Sequence, residues 1–294
     1  MLNRSTRREW GLSLLAWALL APTGKASAQE DRPTGWIVFH AGAAGRHRLV
    51  WKDVLTGAER ELVPAMLGQG NPSAARTGDR VAFQRAGDIW AVDLKSGRTA
   101  NLTRTERYEG CPWVSGDGSL IAFDGIRDGR SDIFLIMGDG SGVRPLTRGP
   151  GNHACPALSP DGKRVAFVSD RHGQMEIYLL DVETGVEWRL TDHPEADMDP
   201  AFSPDGSRIA FTSDRRGKFE IYEMNLDGSG LRRLTEARDF DIQPVYSSDG
   251  RWIAFERDGT IVAVHRDTGT RWPLTRGPEY QGGPTWGPSA SPSR

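Results

Sequence analysis

A unit of forty to forty-four residues recurs along this chain, and that recurrence constrains the fold more than any other feature. Aligned on a proline ahead of an S-P-D-G-like turn, the copies start at Pro72, Pro112, Pro156, Pro200, Pro244 and Pro284, at intervals of 40, 44, 44, 44 and 40 residues. The clearest are P-A-L-S-P-D-G-K-R-V-A-F-V-S-D-R from Pro156 and P-A-F-S-P-D-G-S-R-I-A-F-T-S-D-R from Pro200. A repeat of this size is one supersecondary unit that buries its apolar face only against its neighbours.

The chemistry inside each unit divides it into four strands. In the unit from Pro200 the first strand ends at Ser203, and Pro204-Asp205-Gly206 makes a tight turn: proline presets φ, aspartate caps locally, and glycine takes the positive φ. Arg208 to Thr212 reads as a buried strand, and Phe219 to Met224 alternates as a half-buried one. Asp227-Gly228-Ser229-Gly230 is a hairpin turn. Leu231 to Thr235 is an outer strand whose Arg232 and Arg233 discourage edge pairing. Four strands per unit is the signature of a β-propeller blade. The 35 glycines and 18 prolines suit such a turn-rich all-β chain.

The chain ends set the blade count. Trp36 to Val63 matches a unit without its first strand, and Pro284-Thr285-Trp286 is a first strand with nothing after it. One C-terminal strand joining three N-terminal strands completes a sixth blade and removes two exposed edges. The expectation is therefore an all-β, six-bladed propeller of four-stranded blades over residues 36–286, with a disordered Ser/Pro-rich tail at 287–294.

Ahead of the propeller, residues 1–28 read as an export signal. Arg4, Arg7 and Arg8 precede an apolar run from Leu12 to Ala21, and Ala26-Ser27-Ala28 supplies the small-x-small cleavage pattern. Residues 29–35 form a short lead. The apolar run is too short for a bilayer span, although an uncleaved anchor is the alternative. Thr6-Arg7-Arg8-Glu9-Trp10 leaves the route open between the general and twin-arginine pathways. The mature chain is expected to be periplasmic or secreted, without a membrane span, and monomeric. A net charge of -2 argues against non-specific nucleic-acid binding, which needs a basic face to displace counterions.

The pattern P-x-x-S-P-D-G-x-x-I-A-F-x-S-D-R-x-G-x-x-x-I-Y ending in L-T resembles the repeat of TolB-type propellers. It is carried by Pro200 to Tyr222 with Leu234-Thr235 and by Pro156 to Tyr178 with Leu190-Thr191. Looser copies run from Pro112 to Phe134, Pro72 to Trp90 and Pro244 to Val262. The resemblance implies a periplasmic, protein-binding propeller; TolB is the periplasmic component of the Tol-Pal envelope system, so a Tol-Pal role is one reading. TolB also carries an α/β domain ahead of its propeller. None is expected here, since the repeat begins at Trp36, close behind Ala28.

In a propeller the first strand of each blade lines the central channel, so equivalent positions form rings. Three residues before the aligned proline stand Gln69, Glu109, His153, Asp197, Asp241 and Gln281; one residue before it stand Asn71, Cys111, Cys155, Asp199, Gln243 and Gly283. Strand alternation puts both rings on one face, pointing into one funnel. Their polar variety contrasts with the uniformly apolar core positions and suggests an asymmetric ligand. Glu109, His153, Asp197, Asp199 and Asp241, with Asn71 and Gln243, are the candidate partner-binding residues at the channel mouth. The plainer reading is a water-filled channel that merely tolerates polar side chains. A divalent cation such as calcium on His153, Asp197, Asp199 and Asp241 is a further option, though no EF-hand spacing supports it. Cys111 and Cys155, equivalent in adjacent blades, read as free thiols, as a disulfide, or, with His153, as zinc ligands.

The Ser169-Asp170-Arg171 and Ser213-Asp214-Arg215 triplets recur at equivalent loops and read as structural turn and packing residues. Most of the tryptophans read as core, with Trp113 and Trp286 near the channel the exceptions. No G-x-S-x-G elbow, H-E-x-x-H pair or Walker loop occurs. The function expected is a non-catalytic scaffold that receives a protein or peptide partner at the channel mouth, with no cofactor; an envelope-associated partner is one option. The alternative is a metal-dependent lyase or hydrolase using the ring residues.

Overall fold

The I-A-F core of the repeat decides where each blade buries its apolar side chains. In the computed structural model, which describes residues 32–237 and 240–289, six phenylalanines occupy the same place, one per blade: Phe39, Phe83, Phe123, Phe167, Phe211 and Phe255. All are essentially excluded from water. Burying each side chain is worth roughly 1.5–3 kcal/mol.

Every blade is a four-stranded antiparallel sheet, and in blades two to six the strand order follows the chain. The inner strands of blades two to six are Gln69–Ala74, Glu109–Val114, His153–Leu158, Asp197–Phe202 and Asp241–Tyr246. Blade one is the closure: Tyr280–Gly287 pairs with Trp36–Ala43, which continues into Arg46–Asp53 and Glu59–Leu67. Its register runs through Ile37 opposite Trp286 and Val38 opposite Thr285. Each inner strand packs beside the inner strand of the next blade, and Tyr280–Gly287 touches those of blades two and six, so the ring is complete.

The closing strand runs to Gly287, beyond the expected limit at Trp286, and its neighbours are fastened. Trp286 Nε1 donates to Thr34 O at 2.9 Å, and the Thr34 and Ser289 hydroxyls lie 3.0 Å apart. The expected signal peptide and residues 290–294 of the expected tail lie outside the described residues.

Two motif residues have clear structural duties. In the S-P-D-G-like turns of blades three to six, the serine hydroxyl donates to the aspartate two residues on, at 2.5–2.7 Å, and accepts the N–H that opens the second strand, at 2.9–3.0 Å. In the L-T ending, Thr147, Thr191, Thr235 and Thr275 accept the buried N–H of Ile133, Ile177, Ile221 and Ile261 at 2.9–3.0 Å. Each satisfies a backbone donor that burial would otherwise leave costly.

Candidate functional site

Strand alternation predicts that both rings share a face, and the structure separates them. In every blade the inner strand carries a β-bulge at the residue before the aligned proline. That residue adopts positive φ: Asn71 49°, Cys111 44°, Cys155 49°, Asp199 50°, Gln243 54° and Gly283 55°. A bulge leaves one residue unpaired and resets which face its neighbours point to. The inner ring therefore turns onto the axis, and the outer ring turns away into the protein.

Of the expected channel residues, Asn71, Asp199 and Gln243 line a narrow axial cavity, together with Cys111, Cys155 and the six aligned prolines. Glu109, His153, Asp197 and Asp241 do not line it; all four are fully buried. Arg127 pairs with Glu109 at 2.7 Å, Arg215 donates to both oxygens of Asp197 at 2.9 Å, and Arg257 donates to Asp241 at 2.6 Å. His153 Nδ1 lies 2.9 Å from Ser169 Oγ. These arginines also stack on the blade aromatics: Arg215 lies 5.4 Å from the Phe211 ring centre and 4.7 Å from Tyr222. The S-D-R arginine thus clamps the start of its own blade's inner strand. The acidic recess expected from five residues is not assembled, and the expected metal set of His153, Asp197, Asp199 and Asp241 is dispersed, three of its members lying in blade interiors.

Polar variety on the inner ring also has a conformational source. Asn, Asp and Gly tolerate left-handed backbone better than other residues, which accounts for Asn71, Asp199 and Gly283 without a ligand. It does not account for Cys111, Cys155 or Gln243.

A third set of residues, missed in the sequence, stands behind the inner ring. The residue after each core phenylalanine is His40, Gln84, Asp124, Val168, Thr212 or Glu256. Cys155 N–H donates to Asp124 Oδ2 at 3.0 Å, and Gln243 N–H donates to Thr212 Oγ1 at 3.2 Å. Thr212 Oγ1 also donates to Asp199 Oδ2 at 3.1 Å, and Tyr280 Oη donates to Glu256 at 2.8 Å. Burial pushes the Asp124, Asp199 and Glu256 carboxyls above the usual carboxylate range, and no ion pair reaches any of the three among the described residues. Burial, with nearby His47, pushes His40 down to about 3. A polar residue directly after an apolar I-A-F run in five of six copies was the available signal.

The axial space is not an open tube. Trp113 lines both the axial cavity and a second space towards the S-P-D-G turns, and it packs against the apolar cores of three blade pairs. At the turn end Arg76 reaches across, donating to Pro204 O at 2.8 Å and Ser248 O at 3.0 Å. At the other end the aromatic residues just ahead of the bulges are partly exposed: Tyr108 47%, Phe240 36% and Tyr280 39%.

The two cysteines are not bonded to each other, and their Sγ atoms lie 3.9 Å apart. His153 is not with them; Asp124 is. The hydrogen bond to Cys155, together with burial, holds the Cys111 thiol well above its ordinary value.

The fold and this closed axial site define the chain as a six-bladed β-propeller sealed by a composite blade, with an asymmetric pocket on its axis. The model of the TolB beta propeller domain family matches residues 144–292, and the chain belongs to that family. Among solved structures, TolB from Acinetobacter baumannii superposes with a TM-score of 0.77 at 21% identity, covering 86% of this chain and 66% of that one. A putative TolB from Agrobacterium tumefaciens gives 0.69 at 22% identity, covering 85% and 91%. An oligogalacturonate lyase in complex with manganese gives 0.60 at 15% identity, covering 82% and 74%. This chain thus spans just under two thirds of the Acinetobacter protein. A search among curated proteins finds no match.

Proposed function

We propose that the protein is a non-catalytic binding scaffold of the cell envelope that receives a segment of a protein partner at the axial cavity. One observation carries the reading: side chains from all six blades converge on one cavity, and the half-buried carboxylate of Asp199, which no cation of the described residues reaches, stands on its wall. An anion drawn out of bulk water without a counter-ion is costly, and a cationic group entering the cavity relieves that cost. Tyr108, Phe240 and Tyr280, exposed at the same end, suit a peptide contact, since aromatic side chains dominate interface energetics. Family membership and the envelope setting of TolB itself are consistent with this role.

A catalytic reading drawn from the lyase neighbour has less support, because His153, Asp197 and Asp241 are each engaged inside their own blades. The test is selection of a phage-displayed random peptide library on the purified chain. Selected peptides should carry a basic residue and lose at least about tenfold in affinity on Asp199→Asn, equivalent to roughly 1.4 kcal/mol. Peptides that bind the wild type and Asp199→Asn equally would refute the reading.

A further inference from the structure

We propose that Cys111, Cys155 and Asp124 form a binding site for one thiophilic metal ion, zinc being the physiological candidate, on the wall of the axial cavity. The three side chains offer donor atoms that all lie within 4.8 Å of one another. Zinc binds thiolate at about 2.3 Å in tetrahedral geometry, which sets the sulfur–sulfur edge at about 3.8 Å. The observed separation is 3.9 Å. The thiols stand at the tetrahedral spacing already, and the carboxylate needs to close by about 1 Å to reach a common centre.

The surroundings are specific to this blade junction. Cys111 and Cys155 hold equivalent bulge positions in adjacent blades, and only between them does the residue behind the ring, Asp124, face two thiols. Gly110 makes room for it: a Cβ there would meet Asp124 Oδ1 at 3.1 Å and Tyr108 Oη at 2.8 Å. A disulfide between the two cysteines would leave that buried carboxylate without a counter-ion, whereas a cation uses all three groups. Both sulfurs line the cavity and Asp124 lies behind them, so the fourth position falls on the cavity side, where water or a partner's donor can reach it.

Binding releases two thiol protons to solvent. Two thiolates and one carboxylate then surround the dication, leaving a net charge of minus one at the site. Thiolate ligands favour zinc over magnesium or calcium, which prefer oxygen.

The experiment uses the full chain, reduced with a phosphine, freed of metal and titrated anaerobically with cobalt(II). One equivalent should bind, with the near-ultraviolet charge-transfer band of thiolate ligation and the visible bands of a tetrahedral site, and one equivalent of zinc should displace it. Cys111→Ser should abolish the charge-transfer band or at least halve it. Asp124→Asn, an isostere that keeps the Cys155 N–H acceptor, should weaken affinity by at least about tenfold. Zinc should raise the melting temperature of the wild type and leave that of Cys111→Ser unchanged, which reads the site independently of the spectra. The proposal is overturned if the reduced wild type takes up no cobalt, if it binds without a thiolate band, or if Asp124→Asn binds as tightly as the wild type. It is also overturned if protein isolated without reductant holds a Cys111–Cys155 disulfide and gains no zinc affinity on reduction.

Discussion

Glu223 offers the sharpest test of what holds neighbouring blades together. It is fully buried on the third strand of blade five, and three arginines converge on it. Arg232 donates from its own blade at 3.0 and 2.8 Å, and Arg266 donates from blade six at 2.5 and 3.2 Å. Arg208 adds a longer contact at 3.5 Å, and the Tyr246 hydroxyl donates at 2.8 Å. Glu223→Gln keeps the volume and one acceptor but removes the charge. Breaking a buried pair costs about 3–5 kcal/mol. The arginines keep some water, with 37%, 18% and 37% of the Arg232, Arg266 and Arg208 side chains exposed, so the expected loss is smaller. A loss of about 2–3 kcal/mol lowers the melting temperature by about 5–10 °C in a domain of this size.

Acid supplies a second readout on the same residue. Burial opposes its charge, yet the hydrogen bonds from Arg266, Arg232 and Tyr246 hold the Glu223 carboxyl below its ordinary value of 4.5. A depressed native pKa adds stability that is complete above the unfolded pKa and is lost as pH falls through the native value. The gap in melting temperature between wild type and Glu223→Gln, measured by circular dichroism, should therefore be constant from neutral pH down to about 5 and narrow below about 4. Glu236→Gln is the control, because Glu236 pairs with Arg233 at 2.5 Å but is largely exposed; it should change stability by well under about 1 kcal/mol. A Glu223→Gln drop of less than about 2 °C, or a gap unchanged in acid, would show that the three-arginine cluster does not couple blades five and six.

Three further outcomes follow from the closure, the bulge and the turn. Trp286→Ala removes a buried side chain and its bond to Thr34 O from the composite blade, and should cost about 3–5 kcal/mol in a urea titration. At Gln243, with φ at 54°, Gln243→Gly should fold at least as well as wild type, while Gln243→Val should lose roughly 1–3 kcal/mol, because β-branched residues resist that backbone; equal melting temperatures would remove the bulge argument. Asp205, held down to about 2 by the Ser203 hydroxyl and the Ser207 N–H, should stabilise the turn at neutral pH and lose that effect as pH falls from its ordinary 3.8 towards 2, so the deficit of Asp205→Ala should vanish in strong acid.

The blade architecture was readable because its determinants are local. Tight turns, an I-A-F run and a strand-capping threonine all fall inside one repeat, and the split blade follows from which strand is missing at each end. Side-chain direction on the inner strand was not readable by alternation, because one unpaired residue with positive φ breaks the period of two. A hint was nonetheless present: Asn71, Asp199 and Gly283 are residue types that left-handed backbone selects. The outer ring's true partners could also have been paired in advance. Glu109, His153 and Asp197 each precede an arginine by 18 residues, at Arg127, Arg171 and Arg215, and in the shorter blade Asp241 precedes Arg257 by 16. Asp124 escaped because its importance depends on two cysteines in different blades, a relation that no single repeat contains.

The bulge separates two demands that one strand otherwise has to meet together. Acid–arginine clamps need burial and a fixed partner within the blade, and the outer ring provides both. An axial pocket needs side chains that differ around the ring without disturbing the clamps. Turning one residue per blade onto the axis achieves this, because its side chain leaves the blade core and its identity is limited only by φ. Cysteine at two adjacent bulges is not a residue type that this φ selects, and Asp124, whose oxygen accepts the N–H of one of those cysteines, is held in place by the same backbone distortion. Substituting Cys155 should therefore release Asp124 only if it also alters the bulge, so Cys155→Ser should keep the 3.0 Å N–H bond to the carboxylate and remove only the sulfur.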